Sequence, residues 1–351
     1  MKKLALLFSL AFLLAVQPFS ALAADKGEVV VYNWSEYIPQ DVLDDFTKET
    51  GIKVVYSTYE TNDAMYSKIK LLRGQSYDLV CPSTYYLHLM IEEGLLTTFD
   101  HAKLGNLGNL DPKLLAPSYD PENKYSIPYM WGSFGMMINT KFVDREKART
   151  WRDLLRPEYK GKVILSDDMR DTFGIAMHAA GKSANSTDPE DIKAGYEFLK
   201  ELHPSVRVFD VSAVKQAFVS EEVIIGTSWN GDALVAQTEH PGLEYVYPED
   251  GALVWVDSFA IPVGAKNIEN AHTFVNYLLR PEVALRCQAE FRYSTPNLKT
   301  IELLSPEDRA NRTLVPTEEE LKNVEYLTNV GSKALLLYKD YWEKMKSGMN
   351  N

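Results

Sequence analysis

Aromatic and acidic side chains recur together just beyond short apolar runs of this chain. After residues 29–32 (VVVY) come Asn33, Trp34, Ser35, Glu36 and Tyr37, and after 77–81 (YDLVC) come Pro82, Ser83, Thr84, Tyr85 and Tyr86. Residues 163–166 (VILS) are followed by Asp167, Asp168, Arg170 and Asp171, and 223–226 (VIIG) by Ser228, Trp229, Asn230 and Asp232. Trp255 and Asp257 stand at the head of another apolar run, and Tyr293 shortly precedes Pro296. A single tryptophan at a strand exit is more often packing than binding, so the weight lies in the repetition along both halves of the chain. Carboxylates converging on one cleft repel each other and resist ionisation unless a cation joins them. Aromatic faces also attract cations, by roughly 0.5–2 kcal/mol each. A cage of Trp, Tyr, Asp and Glu therefore suits an elongated amine with methylenes between its ammonium groups.

The elements that position these residues can be read from hydrophobic periodicity. Strands are expected at 29–32, 52–56 and 77–81. Helices are expected at 39–49, where Val42, Leu43 and Phe46 share a face, at 62–72 with Met65, Ile69 and Leu72 inward, and at 86–93. This alternation implies a parallel, doubly wound sheet, whose ligands bind at the carboxyl ends of the strands. Residues 100–128 read as irregular. Further strands are expected at 163–166, 223–226 and 257–262 (DSFAIP), with helices at 188–202, between 267 and 291, and at the C-terminus. There is no internal repeat and no Gly/Ser- or Pro-rich linker, so two lobes would be joined by strands or short segments crossing a hinge.

Composition sets the class. The chain has 351 residues, 45% apolar and 25% charged, which fits a soluble α/β protein of two domains and excludes a disordered or fibrous chain. A formal charge of −12 argues against nucleic acid as a partner, because phosphate contacts need surplus Lys and Arg. Lys2 and Lys3, the apolar run 4–16 and the triplet Ala21-Leu22-Ala23 read as a secretory signal peptide over residues 1–23, cleaved after about Ala23. The run is short for a bilayer span. In a Gram-negative cell the destination would be the periplasm. There a bridge between Cys81 and Cys287 is possible, and two buried free thiols equally so.

Longer stretches carry a resemblance. YNWSEY (32–37), FTKETGIKVVYSTYETND (46–63), YDLVCPSTYY (77–86), YSIPYMWG (125–132), RPEYKGKVILSDDMRD (156–171), SWNG (228–231), WVDSFAIP (255–262) and YSTPNL (293–298) resemble the spermidine/putrescine-binding periplasmic proteins of polyamine ABC transporters, the PotD type. The likeness implies a type II periplasmic-binding-protein fold. Each of its two lobes would be a mostly parallel sheet flanked by helices, with the ligand in the cleft between them. Lobe 1 would comprise 24–132 and 257–305, and lobe 2 would comprise 133–256 and 306–351. It further implies docking on an inner-membrane ABC permease, and the same fold could instead report to a membrane sensor. Trp34, Tyr37, Trp255 and Tyr293 fall on the family's aromatic box, with Tyr85, Trp229 and Ser83 beside it. Asp168, Asp257 and, at the other end, Glu36 match its carboxylates. Ser35 replaces a threonine and Asp171 a glutamate, whereas Leu327 and Val211 stand where the family has glutamine and serine. The supply of carboxylates favours a spermidine-like triamine over putrescine.

An exported hydrolase is the rival reading, and the residues give it little. Residues 226–230 (GTSWN) miss the G-x-S-x-G elbow by their last position. Residues 181–183 (GKS) lack a P-loop glycine four intervening residues upstream of Gly181, the nearest, Gly174, being separated by six. His88, His101, His178, His203, His240 and His272 show no metal-ligand spacing. No catalytic residue, cofactor or metal is expected.

Overall fold

The computed structural model of the chain describes residues 26–115, 117 and 119–348. The signal peptide and its cleavage point lie outside the described residues. The first elements follow the expected alternation: β1 (Glu28–Trp34), α1 (Gln40–Thr50), β2 (Lys53–Tyr59), α2 (Asn62–Leu71), β3 (Leu79–Val80) and α3 (Thr84–Glu92). The three strands form a parallel sheet in the order β2-β1-β3. Side chains alternate across it, as the period of two requires. Val29, Val31, Leu79 and Cys81 join Phe46 and Phe274 on one face, while Tyr32, Val80 and Tyr59 join Met65, Ile69 and Leu87 on the other. Helix α1 stops at Gly51, whose left-handed φ of 75° turns its N–H onto the Thr47 carbonyl.

The short β4 (Leu96–Thr97) is followed by β5 (Ile127–Asn139), the longest strand. Beyond it come β6 (Val163–Leu165), α4 (Met169–Ala179), α5 (Pro189–Leu202), β7 (Val206–Phe209), α6 (Val214–Val219), β8 (Ile225–Trp229), α7 (Asn230–Glu239) and β9 (Leu243–Val246). Then follow β10 (Leu253–Phe259), β11 (Ile261–Pro262), α8 (Ile268–Leu278), α9 (Pro281–Phe291), β12 (Glu325–Tyr326) and the C-terminal helix Gly331–Gly348. The second sheet runs β12-β10-β5-β8-β6-β7, with β9 also on β5. Its β6/β7, β6/β8 and β10/β12 pairs are parallel, and β5 is antiparallel to β8, β9 and β10. Faces alternate again: Met136, Ile138, Val163 and Leu165 pack with Phe173 and Tyr338, whereas Met137 and Ile164 pack with Phe218 and Tyr245.

Two strands belong to both lobes. In β5, Ile127, Tyr129 and Met130 sit in the first lobe's core, and Phe134, Met136 and Ile138 in the second's. In β10 the order is reversed, with Leu253 in the second core and Phe259 in the first. The hinge is thus a pair of antiparallel strands crossing around Gly132 and Trp255, which face each other in register. Glycine is required there: a Cβ on Gly132 would stand 2.3 Å from Asn230 Oδ1 and 2.6 Å from the Trp255 ring. Strand β5 has no counterpart in the sequence reading, because Pro128, Gly132 and Gly135 weaken its strand signal. Two expected strands also move. The 223–226 run is β8 at Ile225–Trp229, and DSFAIP divides into the end of β10 and β11. Trp255 and Asp257 therefore lie inside a hinge strand, just before the register shift between Asp257 and Ser258.

Candidate functional site

The hinge strand buries a carboxylate. Asp257 is 4% exposed and accepts two short hydrogen bonds, from Tyr37 Oη to Oδ2 and from Ser83 Oγ to Oδ1, each 2.6 Å. Ser83 is held in turn by Asn62, whose Nδ2 donates to Ser83 Oγ and whose Oδ1 accepts from the Ser83 N–H. Burial pushes the Asp257 carboxyl up to about 7, against the two hydroxyl donors that favour its ionised form. Among the described residues no Lys, Arg or His forms an ion pair with Asp257. The Tyr37 and Ser83 hydroxyls, both neutral, are its hydrogen-bond partners among the described residues, and a carboxylate so desolvated is costly to ionise without a cation beside it.

Aromatic rings wall this point. Tyr37 lies 5.9 Å from Tyr293 and 5.7 Å from Tyr129, and Tyr293 meets Trp255 edge-on at 5.2 Å. Trp34 packs 4.7 Å from Tyr59, and both donate to the Cys81 carbonyl at the exit of β3, which fixes the indole plane. Gly231 at the start of α7 lets Tyr293 approach, since a Cβ there would stand 2.5 Å from its ring. Trp255 Nε1 is buried and finds no acceptor among the described residues.

One end of the site is the N-terminus of α4. Asp168 caps that helix, its Oδ1 accepting from the N–H groups of Arg170 and Asp171, while Oδ2 has no partner among the described residues. Asp168 and Asp171 remain reachable by water yet are surrounded by protein, as in a cleft. Burial holds both carboxyls above the usual carboxylate range, and for Asp171 the neighbouring Asp168 charge adds to it. The Arg170 guanidinium beneath them lies 5.6 Å from the Tyr85 ring and 5.0 Å from that of Tyr338, joining the two lobes. Its Nε and Nη1 are buried without partners among the described residues.

The other end holds Glu36, Asp232 and Lys215. Glu36 takes a left-handed φ of 51°, uncommon for a residue with a side chain and a marker of functional sites. Asp232, on α7, receives the Tyr293 hydroxyl at 3.5 Å, and burial raises its carboxyl against the pull of the nearby Lys215 ammonium. Hydrogen bonds and ring contacts link Ser83, Asp257, Tyr37, Tyr293 and Asp232 in that order, and Lys215 stands between Asp232 and Glu36.

The expected residues are thus only partly drawn together. Tyr37, Ser83, Asp257, Trp255 and Tyr293 form one contact network, whereas Asp168 and Asp171 share the first turn of α4 and Tyr85 meets only Arg170 there. Ser35 spends its hydroxyl on Glu60 Oε2, and Trp229, half-buried, packs 5.2 Å from Phe134 in the second core. Leu327 packs against that core too, and Val211 is exposed in the loop before α6. Sequence reasoning missed Asp232 and Lys215 as members. Asp232 follows a strand exit and could have been included, but nothing in the pattern marks Lys215. Among the described residues no group of three His, Cys, Asp or Glu could hold a metal, both cysteines are free and buried, and no helix is long and apolar enough to cross a membrane.

Two α/β lobes on crossing strands, with an aromatic and acidic cleft at the hinge, define a solute-binding protein of the type II periplasmic class. The chain belongs to the bacterial extracellular solute-binding protein family, whose model matches residues 41–314. It is 44% identical to the spermidine/putrescine-binding periplasmic protein of Escherichia coli strain K12 over 95% of this chain and 96% of that protein. With the spermidine/putrescine-binding periplasmic protein 1 of Haemophilus influenzae it shares 40% identity, covering 93% and 91%. A solved structure of a putative spermidine/putrescine ABC transporter from Listeria monocytogenes superposes with a TM-score of 0.86 at 35% identity, covering 91% of this chain and 98% of that one.

Proposed function

We propose that this protein captures a polyamine in the periplasm and hands it to an ABC permease in the inner membrane, without chemical turnover. The observation that carries the reading is Asp257, a buried carboxylate with two hydroxyl donors, no ion pair among the described residues and a wall of Trp and Tyr rings. Three acidic stations along one cleft match ammonium groups separated by methylenes. A spermidine-like triamine engages more of them than putrescine and is expected to bind more tightly. The lobes 24–132 with 257–305 and 133–256 with 306–351 would close on the ligand by bending β5 and β10 near Gly132 and Trp255. Residues 1–23 would direct export and be removed.

The test is calorimetry on protein unfolded, freed of scavenged amines and refolded, titrated with putrescine, spermidine and spermine. Saturable one-to-one binding is expected. No binding of any polyamine, alongside binding of an amino acid or an anion, would reject the reading.

A further inference from the structure

Lys215 lies on α6, outside every strand exit, yet its Nζ stands 3.7 Å from Asp232 Oδ1 and 3.9 Å from Glu36 Oε2. Glu36 belongs to the exit of β1 in the first lobe, and Lys215 and Asp232 to the second. The Lys215 side chain is 25% exposed, that of Asp232 17% and that of Glu36 78%. A lysine side chain ends in a primary alkylammonium, the same group that ends a polyamine. The station beyond Tyr293 is therefore already supplied with the cation it would take from a ligand, whereas among the described residues no Lys, Arg or His forms an ion pair with Asp257, Asp168 or Asp171. We propose that Lys215 is a specificity-determining residue, an internal competitor for the ligand's third ammonium. This rests on the polyamine reading of the cleft.

A triamine reaching the Glu36–Asp232 station must displace the lysine into water or tolerate its like charge. A diamine held at the other two stations does neither. Lys215 thus narrows the advantage of triamines over diamines without abolishing either. Its quarter exposure and flexible stem make displacement feasible. Removing the charge leaves Asp232 largely buried with only Tyr293 as donor among the described residues, so a ligand ammonium gains the partner the lysine held.

The test compares Kd for spermidine and putrescine in the wild type, Lys215→Met, Lys215→Gln and Lys215→Arg. Loss of the charge should tighten spermidine roughly tenfold, the low end for a charged contact at these long distances, and move putrescine less than twofold. The arginine variant, which keeps the charge, should retain the wild-type ratio. Putrescine binding also reports that each variant is folded, and the glutamine variant repeats the measurement should the methionine one not fold. An unchanged spermidine-to-putrescine ratio, or weaker spermidine binding, in a variant that still binds putrescine would overturn the role of Lys215. Failure of the wild type to bind either amine would instead overturn the polyamine reading.

Discussion

Acidification should weaken ligand binding through Asp257. Burial pushes its carboxyl up to about 7, while an alkylammonium ligand, with a pKa of about 10 like that of lysine, stays charged throughout. The ligand pairs with the ionised carboxylate. Roughly one-eleventh of Asp257 is ionised at pH 6 and ten-elevenths at pH 8, so Kd should fall about tenfold between those values. Asp168 and Asp171, also raised by burial, act in the same direction. The stability of the free protein has the matching sign. A raised acid favours the fold below its unfolded pKa of about 4 and loses that contribution as pH climbs through 7, some 4 kcal/mol at 1.36 kcal/mol per unit. Ligand restores it, so the ligand-induced rise in Tm should grow from pH 6 to pH 8. Calorimetry at pH 7 in two buffers of different ionisation enthalpy should register proton release on binding. Affinity that is flat or improves on acidification, or proton uptake, would refute Asp257 as the ionised anchor.

The remaining predictions concern single side chains and the hinge. Asp257→Asn should cost roughly 2–5 kcal/mol of binding, about 30- to several-thousand-fold in Kd, with the fold retained and the fall in free-protein stability through pH 7 removed; a change below threefold in calorimetry removes Asp257 from the site. Tyr37→Phe deletes one of its two donors at 2.6 Å, and should weaken binding about three- to tenfold, as a hydrogen bond of about 1 kcal/mol implies, while moving the pH midpoint of binding upward. Gly132→Ala forces a Cβ against Asn230 and Trp255 and should destabilise the protein by about 1–3 kcal/mol in thermal or denaturant unfolding. Small-angle scattering should show a smaller radius of gyration with spermidine than without; an unchanged radius with binding confirmed would exclude closure.

How far the sequence exposes such a site depends on what each residue is for. The first sheet was legible because β1, β2 and β3 are apolar runs with helices of clear period between them, and a parallel sheet places its exits on one edge. That is why Tyr37 and Ser83 could be named. The hinge was harder to read. Strand β5 carries Pro128, Gly132 and Gly135 since it must pass between two cores and let Trp255 lie across it, and those needs erase the strand signal. Asp257 was named for its type and neighbours, yet its position inside β10 at a register shift comes only from pairing with β5, a contact between residues more than a hundred positions apart. Lys215 lies further still from any local rule. It sits on a six-residue helix as an ordinary basic residue in an acidic chain, and only the approach of α6 to the exit of β1 gives it meaning. Alternation and strand exits can nominate anionic and aromatic ligands to a cation. A protein-borne cation that occupies one of those positions is visible only when both lobes are in place.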